Sequence, residues 1–148
     1  MAQRLSRNSQ INEIIKCGKD PVYFMNKYLK IQHPMRGLIP FKTYPFQDEC
    51  IQDFNDHRFN IILKSRQLGL STLVAAYAVW QAIFYKEKNI LIIATKLAVA
   101  QNFIRKVKTY IKSMPKWLLV PTITANNKQQ VEFSNGSQIK AVPTSEDA

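Results

Sequence analysis

Residues 64–72, Lys-Ser-Arg-Gln-Leu-Gly-Leu-Ser-Thr, put two cations, one glycine and two adjacent hydroxyls into one short stretch. An apolar run, Ile61-Ile62-Leu63, leads in, and a second begins at Leu73. These are the residue types that gather round phosphate groups. A standard phosphate loop reads Gly, four residues, Gly-Lys, then Ser or Thr; its backbone N–H groups surround the phosphates, its Lys neutralises them and its hydroxyl binds Mg²⁺. Aligned on Gly69, that pattern starts at Lys64, places Leu70 in the lysine position and puts Ser71 in the metal position. The cation is then displaced to the front of the loop rather than absent. A lysine entering from a strand end can point back across the loop to the β- and γ-phosphates, and Arg66 adds a second positive charge. An ordinary strand-to-helix turn, with Gly69 supplying backbone freedom, gives the same bare pattern, so the context must separate the two.

The flanking elements favour the phosphate loop. "FNIILK" reads as a short buried strand before it, and a helix is expected from about Ser71 to Tyr85. The N-terminus of that helix aims free N–H groups and the positive end of its dipole at an anion. "NILIIAT", Asn89 to Thr95, is a second strand of the type buried on both faces. Upstream, "FKTYPFQDECI" carries Gln47, whose amide has the acceptor and donors needed to read the N6 and N7 edge of adenine. Tyr44 or Phe46 could cover the ring. A solvated helix position is the plainer reading of Gln47.

The remaining chain supplies the frame. Residues 1–10 are polar and expected to fray, and "INEIIKCG" forms a short helix stopped by Gly18. In "DPVYFMNKYLKI", Asp20 caps, Pro21 fits the first helical position, and Phe24, Met25, Tyr28 and Leu29 share a face. "QHPMRGLIPF", with two Pro and a Gly, reads as a connector. A helix over about Pro45 to Asp56 turns Phe46, Cys50, Ile51 and Phe54 inward. Another runs from about Leu97 to Met114, with Leu97, Ala100, Phe103, Ile104, Val107, Tyr110, Ile111 and Met114 at helical spacing. "QQVEFSNGSQIKAV" is a hairpin in which Asn135-Gly136 favours a tight type I′ turn. Strand, helix, strand, helix, hairpin indicates an α/β domain with a largely parallel sheet.

Composition is consistent with this frame. At 148 residues and 46% hydrophobic, the chain can bury one sizeable core. The net charge of +11 suits a polyanionic partner. The excess is concentrated: from Lys88 to Val131 no acidic residue occurs among Lys88, Lys96, Arg105, Lys106, Lys108, Lys112, Lys116 and Lys128. That stretch reads equally as a solvated helix face or as a polyanion-facing patch. Cys17 and Cys50 are too few and too separated for a disulfide framework or a zinc knuckle, and suit a reducing compartment as small apolar groups. The N-terminus lacks the apolar core of a secretion signal, and no apolar run reaches the ~18 residues of a membrane span. A soluble intracellular protein is expected.

"KSRQLGLST", preceded by "YPFQ" and by "CGKDPVYFMNKYLKIQHPMRGLIPF", resembles the N-terminal ATPase region of the large terminase subunit of tailed bacteriophages. The resemblance runs from about Cys17 to the end, and "NGSQIKAVPTSEDA" is similar to the stretch these proteins carry before their Walker B strand. It implies an incomplete P-loop NTPase domain of ASCE type, a parallel-sheet α/β unit over 41–148, preceded by a small helical segment over 1–40. Many terminases have a deviant Walker A with the lysine at the loop's start, which makes Leu70 a family variation.

Terminases pump viral DNA into an empty capsid on ATP hydrolysis and cut the concatemer with a C-terminal nuclease. By that resemblance, Lys64 contacts the β- and γ-phosphates, Ser71 holds Mg²⁺, Thr72 assists at the α- or β-phosphate, and Ser65, Gln67, Leu68, Gly69 and Leu70 complete the ATP loop. Arg66 is then a sensor or in-cis arginine finger, an effect worth ~10³-fold or more in rate. Gln47 is the adenine-reading Q-motif residue. The implied partners are double-stranded viral DNA, the portal, the small terminase subunit, the rest of the same protein and further copies in a ring, with no membrane, in the cytoplasm of the infected host.

Hydrolysis also needs an apolar strand ending Asp-Glu to hold Mg²⁺ and polarise water. Glu132 lies in the hairpin and Glu146-Asp147 follow "VPTS", so neither fits. In the family that strand comes shortly afterwards, and this chain alone is expected to bind nucleotide weakly without appreciable turnover. Two other readings remain: a piece of a helicase-like ATPase, and a non-enzymatic DNA-binding module built on the basic 96–116 helix.

Overall fold

The computed structural model describes residues 6–144. Helix α1 (Arg7–Lys19) starts earlier than its polar sequence suggests, because the Ser6 hydroxyl accepts the Ser9 N–H at 3.2 Å. It also runs through Gly18 rather than stopping there. A side chain at that position would press on the Phe84 ring at 3.3 Å, so Gly18 serves close packing and not termination. Helix α2 (Pro21–Tyr28) follows the sequence rules: the Asp20 carboxylate accepts the Tyr23 N–H at 2.9 Å, and Pro21 occupies the first turn.

The expected connector is instead an antiparallel hairpin, β1 (Lys30–His33) with β2 (Gly37–Pro40). Gly37 supplies a φ of +69° at its turn, and the His33 Nδ1 accepts the N–H groups of Met35 and Arg36. The breakers Pro34 and Gly37 thus mark a turn between strands and not an unstructured link. Helix α3 (Pro45–Asp56) has the expected bounds, and Cys50, Ile51 and Phe54 turn inward as expected, but Gln47 is buried in place of Phe46, which is exposed and stacked on Tyr44 at 5.8 Å.

Next come α4 (Leu70–Phe84), β3 (Asn89–Ala94), α5 (Leu97–Ser113), β4 (Ile123–Asn126), β5 (Gln130–Phe133) and β6 (Gln138–Pro143). The sheet order is β3-β6-β5-β4. Only β3 and β6 are parallel; β5 pairs antiparallel with both β6 and β4. The sheet is therefore mixed, not largely parallel. The β5–β6 turn also differs from type I′: Gly136 alone has a positive φ, +82°, and its N–H returns to the Phe133 carbonyl at 3.1 Å. Asn135 is held otherwise, its Nδ2 donating to the Ala82 and Tyr85 carbonyls at the end of α4. The turn closes that helix, which is why its geometry follows α4 as well as the hairpin.

The largest departure is "FNIILK". Residues 59–64 form no strand and pair with none, with Ile61 and Leu63 fully exposed. A strand exists only where a neighbour accepts its ladder, and none of the described strands lies beside this segment. β3 likewise presents Leu91 and Ile93 to solvent instead of being buried on both faces.

One core joins the N-terminal helices to α4 and α5. Leu73, Val79 and Trp80 of α4 and Ile104, Val107 and Tyr110 of α5 pack with Cys17, Phe24, Met25 and Phe41. α4 is apolar nearly all round because it is covered from several sides. Burial pushes the Cys17 thiol up to about 12, leaving it a small apolar group. No helix of the described residues is long and apolar enough to cross a membrane.

At the α1–α2 contact, the Glu13 carboxylate accepts from Lys27 Nζ (2.6 Å), Tyr23 OH (2.6 Å) and Tyr28 OH (2.8 Å). Burial opposes its ionisation, but the Lys27 and tyrosine bonds outweigh it and hold the group at about 2 instead of 4.5. A depressed carboxylate contributes stability above its unfolded pKa and loses it as pH falls through the folded value. Glu13→Gln should therefore lower stability by about 1–2 kcal/mol at pH 7. The difference should shrink from pH 4.5 downward and vanish near pH 2, as followed by urea denaturation across that range.

Candidate functional site: a loop of free amides at the start of α4

Between Lys64 and α4 the backbone twice enters the left-handed region, at Gln67 (φ +64°) and Gly69 (φ +73°). Gly69 is the N-cap, and its carbonyl accepts the N–H groups of Thr72 (3.0 Å) and Leu73 (2.9 Å). Residues 66–67 form a turn, and apart from it no amide N–H from Ser65 through Ser71 makes a hydrogen bond among the described residues. Successive unpaired donors in a loop with left-handed residues form an anion-binding concavity, and the helix behind them adds its positive end.

The cations flank this concavity. Lys64 is exposed, and its Nζ reaches only the carbonyl of its neighbour Ser65, at 3.2 Å. Arg66 is exposed, with no ion pair or hydrogen bond among the described residues. The hydroxyls of Ser71 and Thr72 are likewise without a protein partner there. Ser65, Gln67 and Leu68 are solvent-facing.

Leu70 explains the missing lysine. It is only 8% exposed and belongs to the core, so its position supplies packing and not charge.

Gln47 is placed unlike the sequence reading. Its side chain is buried, its Oε1 accepts the Tyr44 N–H at 3.1 Å, and its Nε2 donates to the Leu68 carbonyl at 3.1 Å. The amide expected at a purine edge is engaged within the protein. Tyr44 and Phe46 stack on each other nearby and present an exposed aromatic surface.

A cavity of about 1020 Å³ opens on the α5 side of the first turn of α4, lined by Leu70, Ser71 and Thr72, by the end of β3 through Thr95, and by Arg105, Lys106 and Tyr110. Burial pulls the Lys106 ammonium below its usual pKa. Lys64, Arg66 and Gln47 lie outside it. The sequence pattern put Arg105 and Lys106 on an outer basic face and Tyr110 simply in the core. It carried no sign that the Tyr110 hydroxyl donates to the Thr72 carbonyl at 3.0 Å, tying α5 to the start of α4.

The donor set fits phosphate. For Mg²⁺ it offers the Ser71 hydroxyl, and no group of His, Cys, Asp and Glu able to hold a metal occurs among the described residues. Glu132 sits on β5 bonded to Gln130, and Glu146 and Asp147 lie outside the described residues.

Two comparisons bear on this arrangement. The fold resembles the crystal structure of the HK97 bacteriophage large terminase, with a TM-score of 0.69 at 17% identity, over 88% of this chain and 28% of that one. The chain thus spans little more than a quarter of that protein's length. Residues 61–148, which contain the whole loop, α4 and the sheet, match the family model described as terminase large subunit, T4likevirus-type, N-terminal. The chain belongs to the terminase large-subunit family and represents its N-terminal region.

Proposed function

We propose that this chain is the nucleotide-binding part of a viral DNA-packaging motor, holding the phosphates of ATP in the loop Lys64–Thr72. The observation that carries this reading is that, apart from the turn at 66–67, the amides from Ser65 to Ser71 make no hydrogen bond among the described residues and are flanked by two cations with no anionic partner there. In it, the amides orient the phosphate chain, Lys64 swings from the Ser65 carbonyl to the β- and γ-phosphates, and Arg66 faces charge developing on the γ-phosphoryl group. Ser71 would contribute one ligand to Mg²⁺, which would supply neutralisation of phosphate charge when bound. No group of acidic side chains able to complete the metal site occurs among the described residues. The motor's further partners are viral double-stranded DNA, portal, small terminase subunit, the nuclease half and neighbouring copies, acting inside the infected cell. Family membership supports these.

Calorimetric titration tests the site. Wild-type chain should bind ATP and ADP with Mg²⁺, and Lys64→Ala should weaken ATP about 10- to 100-fold, the loss of a charge-assisted contact. Equal binding by both proteins would remove Lys64 from the site. A second reading, a DNA-binding module, draws on the exposed Lys96, Arg105, Lys112 and Lys116, none of them ion-paired among the described residues. Salt-sensitive binding to DNA by a chain that takes no nucleotide would favour it.

A further inference from the structure

The loop has one long-range tether. Apart from the local contact of Lys64 with Ser65, the only hydrogen bond reaching residues 65–68 from the rest of the described protein is that from Gln47 Nε2 to the Leu68 carbonyl, 3.1 Å. The other end of the same amide is fixed, since Oε1 accepts the Tyr44 N–H at the start of α3. The side chain is 2% exposed. Its Nε2 lies 3.0 Å from the Cβ that a side chain on residue 69 would carry, a tight contact. Gly69 thus suits both its left-handed backbone and the amide packed against it.

An amide is the one side-chain group of this length that accepts at one end and donates at the other. A glutamate could take the Tyr44 N–H but would set a second acceptor against the Leu68 carbonyl. A methionine would fill the space and bridge nothing. Both ends matter because, outside the turn at 66–67, the adjoining amides make no bonds of their own among the described residues to fix their direction.

We propose that Gln47 is a positioning residue, a clamp from the first turn of α3 that fixes the Leu68–Gly69 peptide and thereby aims the loop amides at phosphate, without reading the base. The proposal rests on the nucleotide-binding reading above and assigns this side chain a different task from adenine recognition. Its consequence is sharp: the clamp serves any ligand with the same phosphates equally.

The test uses the full chain with Gln47→Met, which keeps the volume, and Gln47→Ala, titrated with ATP, GTP and inorganic triphosphate. Folding is checked by circular dichroism, and loop order by ¹⁵N heteronuclear NOE at Leu68 and Gly69. The expected result for Gln47→Met is a loss of about 5- to 10-fold for all three ligands, the worth of one buried hydrogen bond. The ATP-to-GTP ratio should stay unchanged, and the NOE at both residues should fall. Loss confined to ATP would overturn the clamp in favour of base reading. Unchanged affinities with a lower melting temperature would reduce Gln47 to a helix cap and also overturn it. If wild-type chain takes none of the three ligands, the nucleotide reading fails separately, and the NOE alone decides: unchanged values in Gln47→Met would sink the clamp, lowered values uphold it. Should Gln47→Ala not fold, Gln47→Met carries the same comparison.

Discussion

Leu70→Lys, which restores the Gly-Lys-Ser order of a standard phosphate loop, should destabilise the chain by about 3–5 kcal/mol and leave ATP binding no tighter than wild type. By sequence the change is a repair. The structure makes it an injury, because Leu70 is 8% exposed and packs with the core that holds α4. The substitution forfeits about 1.5–3 kcal/mol of aliphatic burial. It then sets an ammonium beside a cavity already lined by Arg105 and Lys106, with no carboxylate among the lining residues. Desolvation and like charge both disfavour the protonated amine. Urea denaturation gives the stability and calorimetry the affinity. A stable Leu70→Lys chain with tighter ATP binding would show that this position, not Lys64, faces the phosphates.

The second large effect lies at the back of the same helix. Trp80→Ala should lower stability by about 3–5 kcal/mol. The indole is buried, stacks on Tyr77 at 5.5 Å and meets Tyr85 edge-on at 5.2 Å. Its Nε1 also donates to the Cys17 carbonyl at 2.8 Å. Cys17 lies in the last turn of α1, where a continuing helix would supply the N–H of residue 21, and that residue is proline. The indole supplies the donor that Pro21 lacks. Removing it opens a cavity and orphans a buried carbonyl together. Trp80→Phe, which keeps most of the volume, should lose about 1–3 kcal/mol. Thermal unfolding should show Trp80→Ala roughly 10 °C or more below wild type. A shift of a degree or two would mean that α1 is not docked through this residue.

These two positions show how differently the sequence speaks at nearby places. The motif located the loop from Lys64 to Thr72, and Gly69 stands where a left-handed cap is needed. It did not reveal why Leu70 replaces a lysine, since burial of the first residue of α4 depends on α5 and the N-terminal segment packing against it. Gln47 was legible as a residue of interest through its place in "YPFQ", yet its partners were not: the Leu68 carbonyl comes near only when α3 and the loop are folded together. Phe46 and Gln47 exchanged the expected inside and outside positions for the same reason, because an apolar ring stacked on Tyr44 tolerates water better than an amide with two waiting partners tolerates its loss.

The sequence by itself determined most of the helices, α1 running past its expected bounds at both ends. Asp20 and Pro21, the spacing of Phe103, Ile104, Val107 and Tyr110, and the bounds of α3 were all readable, because a helix satisfies its backbone within four residues of itself. Tertiary structure decided the strands. Ile61 and Leu63 are as apolar as Ile90 and Ile92, yet only the latter lie in a sheet, because β6 runs alongside β3 and no described strand runs alongside residues 59–64. A strand's hydrogen bonds belong to a neighbour distant in the chain, and side-chain pattern announces the wish for that neighbour without naming it. The loop from Lys64 to Thr72 stands between these cases: its residues are local, but it is tied to α3 by the bond from Gln47 Nε2 to the Leu68 carbonyl, which only the folded chain brings together.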